Sequence, residues 1–337
     1  MVHSLSNDET DPVDVPPRKK SRKEPNARSI VGVAPDRQPV LELAYTYIQL
    51  KVLTDPSKTW LHGRPELALA TQEAFDWALN QMQVQPDLFE PVTHLEQDLC
   101  RERIYGARGE LKELARLIAA SDSKNGDGFG FMVCSVKATK EEQERIAGLN
   151  RALVETLTHK SAFCFEDPLD RTMKGSMYQH TSIGAAVNKG VYDGLVSYGM
   201  QYPDYFDDSL FRVDPTQEDV SHKPTLSLVL LALIVTALRA AIMEWSSGHF
   251  IPETFSRKIY KPHFDRELKV LREWRDYTSN ATIIPGGGPV RKAPASFLTR
   301  TLQETLLAEA RANVLKDVVA PVPSVVPMDA SDFALNQ

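Results

Sequence analysis

Residue types able to do chemistry are present in this chain, but few stand at the spacings that chemistry requires. Gly126, Gly128 and Gly130 alternate within residues 121–131 (SDSKNGDGFGF). A phosphate-cradling glycine loop needs a preceding strand, a different spacing and, in nucleoside-triphosphate sites, a lysine after the last glycine. None of these is met. Asp122, Asn125 and Asp127 offer oxygen ligands in the same stretch. Calcium loops place such ligands at alternate positions and close with a glutamate at the twelfth, and this order fails too. The segment is expected to be a mobile surface loop.

The eight histidines are scattered. His263-Phe264-Asp265 is half of a metal or acid–base pair, with no second histidine four residues away. His180, in Tyr178-Gln179-His180, meets His222 or His263 only if the fold brings them together. There is no GxSxG turn to expose a serine nucleophile. Cys164 lies between Phe163 and Phe165. Burial there raises a thiol's pKa and makes it inert. No catalytic residue, metal set or cofactor motif is assigned, and the failed motifs argue against an enzyme.

Charged residues on apolar sequence are more informative. Leu226 to Leu238 (LSLVLLALIVTAL) is almost wholly apolar, and Arg239 and Glu244 follow it. A buried charge needs a partner or a path to water. Two readings are open: the charges pair with neighbouring helices and fix their register, or they edge a pocket. The pocket version takes Arg239, Glu244, Trp245 and Tyr260, with a polar edge beside aromatic walls.

The second charged feature is Pro16-Pro17-Arg18-Lys19-Lys20-Ser21-Arg22-Lys23. Arg18, Lys19, Lys20, Arg22 and Lys23 put five basic side chains in six positions. An extended chain of this kind suits the acidic groove of a nuclear-import carrier. Residues 1–29 hold six basic and five acidic residues, so the tail is only +1 while the whole chain is -6. The acidic body therefore lacks the basic face that strong nucleic-acid binding needs.

These residues must be positioned by helices. Val40, Leu41, Ala44, Ile48 and Val52 share one face, as do Ala70, Ala74, Phe75, Ala78, Leu79 and Met82 after Pro65. Leu95 to Ile118 reads as one bent helix through Gly109. Thr139 and Glu142 form a capping-box signature ahead of Ile146, Leu149, Leu153 and Leu157. Further helices are predicted over Thr181–Tyr198, from Pro224 to near Gly248, after Pro262, and over Ser296–Val318. The predicted fold is all-α: one globular domain of seven to nine helices over 37–318. Polar, proline-containing tails at 1–36 and 319–337 are expected to be disordered. The apolar run of 13 residues is shorter than the roughly 20 a membrane span needs.

Three cysteines without CxxC spacing, and an N-terminus without an apolar leader, suit a reducing compartment. The nucleus is expected, with the cytoplasm as the alternative.

Several of these features occur together in a recognisable order. Arg108-Gly109-Glu110-Leu111-Lys112 is followed by Phe165-Glu166-Asp167, by Tyr178-x-His180, and by the apolar helix ending in Met243-Glu244-Trp245-Ser246-Ser247-Gly248. Phe255, Tyr260 and an amphipathic helix come next. Residues 95–276 resemble the domain-of-unknown-function family 6532 of mushroom-forming fungi. The resemblance implies an all-α fold and a fungal source and assigns no activity. Met243 stands where that family commonly has an acidic residue, which weakens the idea of a charged pair there. The expected role is a nuclear helical interaction module without catalysis, with an import carrier and further proteins as partners. The alternative is an accessory enzyme or small-molecule binder in fungal specialised metabolism.

Overall fold

Short local signals start most of the helices. In the computed structural model the described residues are 30–85, 89–121, 128–168, 177–194, 196–207, 226–279 and 305–314. Helix α1 (Gln38–Thr54) carries Pro39 in its first turn, where the missing N–H costs nothing. Asp55 caps the single turn α2 (Pro56–Thr59) by accepting the Ser57 N–H at 2.9 Å. Helix α3 (Arg64–Gln81) begins at Pro65, as predicted. Thr93 and Glu96 form a reciprocal capping box on α4 (His94–Ala120), which runs unbroken for 27 residues. On α5 (Lys140–Thr158) only half of the predicted box forms. Thr139 accepts the Glu142 N–H at 3.2 Å, but the Glu142 carboxylate turns to Arg145 instead.

The later elements are α6 (Thr181–Val191), α7 (Tyr198–Gln201), α8 (Leu228–Met243), α9 (Arg257–Ser279) and α10 over 305–314. Eight helices of seven residues or more are present among the described residues, which show no strand. Two predicted boundaries are corrected. The helix from Thr181 ends at Val191 rather than Tyr198, because the chain turns through Asp193 and Gly194, whose φ is +83°. Helix α9 begins at Arg257, before Pro262, which sits inside it on an exposed face. The predicted import residues Arg18 to Lys23, Pro224, the 285–289 break and the ends of the last predicted helix lie outside the described residues.

Helix α8 is the centre of the core. Every residue from Leu228 to Ile242 is buried except Arg239. Its neighbours are α9, α4, α1, α5 and α6. Sixteen residues span about 24 Å, short of the ~30 Å hydrocarbon layer. No described helix is long and apolar enough to cross a membrane. A second apolar cluster joins α1, α3 and the first half of α4 through Val40, Leu41, Phe75, Leu99 and Ile104. Helix α4 bridges the two clusters, since Leu111, Ala115 and Ile118 belong to the α8 core. Of the 121–131 segment expected as a surface loop, residues 122–127 lie outside the described residues, whereas Phe129 and Phe131 are buried and Phe131 stacks on Trp245 at 5.0 Å.

Candidate functional site

Helix periodicity puts Arg108, Lys112 and Arg116 in one row along α4, each four residues after the last. The upper two meet Glu244, the residue that ends α8. Lys112 Nζ lies 2.5 Å from Glu244 Oε1, with both side chains almost fully buried. Arg116 grips both carboxylate oxygens, with Nε at 2.7 Å and Nη2 at 2.5 Å. The Glu253 N–H also donates to Glu244 Oε1, at 2.7 Å, and Lys112 donates to the Glu253 carbonyl. Burial alone would raise the Glu244 pKa. The donated bonds from Arg116, Lys112 and Glu253 outweigh it and hold the carboxyl below its usual range. Glu244 therefore does have charged partners. They come from α4, so Met243 at the preceding position is no obstacle.

This ion cluster fixes the segment after Glu253. Tyr260 donates its hydroxyl to Glu253 Oε2 at 2.9 Å, and its ring packs on Phe255 at 5.0 Å. Phe255 in turn lies 5.4 Å from Trp60. The held segment forms one wall of a cleft of about 860 Å³. Tyr105, Arg108 and Gly109 of α4 form the opposite wall, and Arg257, Lys258 and Lys261 of α9 complete it.

Arg108 is the unusual group in this cleft. It is 6% exposed. Its Nη1 donates to the Thr59 carbonyl at 3.2 Å, and its Nε has no partner. The guanidinium stacks over Trp60 at 4.9 Å and Tyr105 at 5.2 Å. No described carboxylate pairs with Arg108, Arg257 or Lys258, while Lys261 is held by Asp265 at 2.5 Å. Burial pushes the Arg108 pKa down to about 10; Tyr105 opposes the shift and Arg257 adds to it. The group remains cationic at neutral pH. Gly109 adds room beside it, since a Cβ built there meets no atom within 4 Å.

The residues predicted as a pocket divide into three positions, and none of them lines this cleft or the second large cavity described below. Glu244 and Tyr260 stand behind the cleft wall and hold it. Trp245 is buried between Phe131 and Phe250. Arg239 is half-buried; burial and Arg266 lower its pKa, and Glu267 opposes them. His180 caps α6 by accepting the Ser182 N–H, stacks on Phe129 at 4.7 Å, and burial lowers its pKa to about 4. His263 sits beside Tyr260 and Arg266. His222 lies outside the described residues. No group of three or more His, Cys, Asp or Glu side chains able to hold a metal occurs among the described residues. Cys100 and Cys164 are buried, and burial raises both thiols, as expected for Cys164.

The second cavity, of about 550 Å³ between α6 and α10, is lined by His180, Asn188, Tyr192 and Glu309. Asn188 Oδ1 and the Tyr192 hydroxyl find no partner there.

Arg108 and Lys112 were visible only as parts of a family-like motif. Their place beside Ala107 and Leu111 was the available signal for burial, because neighbouring residues on a core-facing helix can share its edge. Comparison with known proteins agrees with that resemblance. A family model described as a domain of unknown function (DUF6532) matches residues 59–274, which include every residue of the cleft. No curated protein and no solved structure matches the chain.

Proposed function

The chain belongs to the DUF6532 family, and we propose that its helical domain is a binding module for an organic anion seated in the α4–α9 cleft. The observation that carries this reading is Arg108, buried at the cleft wall without a carboxylate partner. An unpaired buried charge costs several kcal/mol unless something compensates it. An anionic ligand supplies that compensation, and an open cavity beside the guanidinium leaves room for it. The cleft has the mixed character of small-molecule sites, with aromatic and aliphatic walls and a few convergent polar groups. Of the two roles left open by the sequence, this geometry favours ligand binding over a purely protein-contacting module.

The test is a thermal-shift screen of carboxylates, sulfates and phosphates against the full chain and against Arg108→Met. A ligand at one hundred times its dissociation constant stabilises by about 2.7 kcal/mol. At least one anion is expected to raise the melting temperature of the parent protein and not of the variant. Equal shifts in both proteins, or none in either, would overturn the reading.

A nuclear address through Arg18, Lys19, Lys20, Arg22 and Lys23 is a separate proposal, supported by the density of basic residues alone. Removing residues 18–23 should move a fluorescent fusion from the nucleus to the cytoplasm. Unchanged nuclear accumulation would end it.

A further inference from the structure

The geometry points to a phosphate monoester on a flat apolar body as the ligand of the α4–α9 cleft, an inference that rests on the anion-binding reading above. Three features of the cleft carry it, and they concern charge, direction and shape.

The first is the number of positive charges without a carboxylate partner. Arg108, Arg257 and Lys258 all line the cleft, and none pairs with a described carboxylate. Lys261 is already held by Asp265. A carboxylate ligand brings one negative charge. A phosphate monoester brings about 1.5 to 2 at neutral pH, with three acceptor oxygens. Charge balance favours the phosphate. Arginine is also a strong donor to phosphate oxygens, and Arg108 gives only its Nη1 to a protein acceptor.

Direction comes from α9, whose first turn forms the cationic end of the cleft. The Tyr260 N–H is the first to bond within the helix, to the Ser256 carbonyl at 3.0 Å. The N–H groups of Arg257, Lys258 and Ile259 therefore have no acceptor within the helix. The start of a 23-residue helix carries roughly half a positive charge, and free N–H groups there suit phosphate oxygens. A helix start alone is not a site. Here the buried, incompletely partnered Arg108 faces the same cavity from the opposite helix.

Shape concerns the rest of the ligand. Tyr105 and Phe255 present aromatic walls, and Leu61 adds an aliphatic one. Gly109 leaves the α4 backbone open between them. A flat apolar body can lie against this bare stretch of helix with its ring on Tyr105. The volume, about 860 Å³, accommodates a body of one or two fused rings together with its phosphate.

The experiment is isothermal titration calorimetry of the full chain with four probes: 1-naphthyl phosphate, 1-naphthoate, 1-naphthol and inorganic phosphate. Naphthyl phosphate should bind at least tenfold more tightly than each of the other three. Arg108→Met should weaken it tenfold or more. The double variant Arg257→Gln, Lys258→Gln should do the same, and both of its substitutions are on exposed residues, so the fold is not at risk. Naphthoate binding as tightly as naphthyl phosphate, with the same loss in Arg108→Met, would overturn the phosphate assignment and leave the anion reading intact. Naphthol binding as tightly as either anion would overturn the role of charge. Binding of naphthyl phosphate that neither variant weakens would overturn both readings, as would the failure of every probe to bind.

Discussion

Arg108 and Lys112 stand one turn apart on the same face of α4, and both are almost wholly buried. Lys112, with Arg116 a turn further on, meets the Glu244 carboxylate and the Glu253 carbonyl. Arg108 meets one carbonyl and two aromatic rings. Arg108 and Lys112 each carry one positive charge in similar burial and differ in compensation. At the Glu244 end, electrostatics are spent inside the protein and hold α4, α8 and the segment before α9 together. At the Arg108 end, the positive charge faces a cavity. The difference separates a cation that builds the fold from one that waits for something to bind.

The largest expected effect is at the compensated end. Glu244→Gln leaves Lys112 without its anion and Arg116 with Glu113 alone. Breaking a buried pair by removing one partner costs about 3–5 kcal/mol. Urea unfolding should show a loss of that size, and a loss below about 1 kcal/mol would remove the contrast between the two ends.

Next in size is the pH response of His180, which is buried and uncharged beside the second cavity. Burial lowers its folded pKa to about 4, against about 6.5 when unfolded. A base with a lower pKa in the folded state binds fewer protons there, so the unfolded state gains as pH falls. Its contribution is fully favourable above pH ~6.5 and is lost progressively down to pH ~4, by about 3 kcal/mol. His180→Asn keeps an acceptor for the Ser182 N–H and should flatten that pH dependence; an unchanged slope would place the titration elsewhere.

A smaller comparison uses two glycines. Gly109 faces the cleft and its built Cβ meets nothing, so Gly109→Ala should raise stability by about 0.5–1 kcal/mol through helix propensity alone. At Gly190 on α6 the same change meets Leu114 at 3.2 Å and Leu111 at 3.3 Å. That crowding should cancel or reverse the gain. Equal stabilisation at both sites would mean that the cleft is no more open than a helix contact.

Much of the scaffold was legible in the sequence because it is set locally. Pro65 and the Thr139 cap mark helix starts within four residues of their effect. The apolar run before Arg239 required a buried helix. Its unusual length of consecutive burial marked it as central. The two misplaced boundaries have different causes. Gly194 interrupts a helical pattern that reads as continuous, and Pro262 is tolerated inside α9 because it lies on an exposed face. The candidate site was illegible for a further reason. Lys112 reaches Glu244 across 132 residues, and Arg108 reaches Thr59 across 49. Sequence identified Glu244 as a charge needing a partner, which it is. It could not say that the partner lay on α4, nor that the uncompensated charge would be Arg108 instead.

The most direct measurement is the unfolding free energy of Arg108→Met without any ligand. If Arg108 is held for binding, exchanging it for an apolar side chain of similar length removes a buried unpaired charge. The variant should then fall within about 1 kcal/mol of the parent protein or exceed it, lost stacking on Trp60 and Tyr105 being offset by the relief. A loss of about 3 kcal/mol or more, as large as that expected for Glu244→Gln, would contradict this and make Arg108 a structural residue like Lys112.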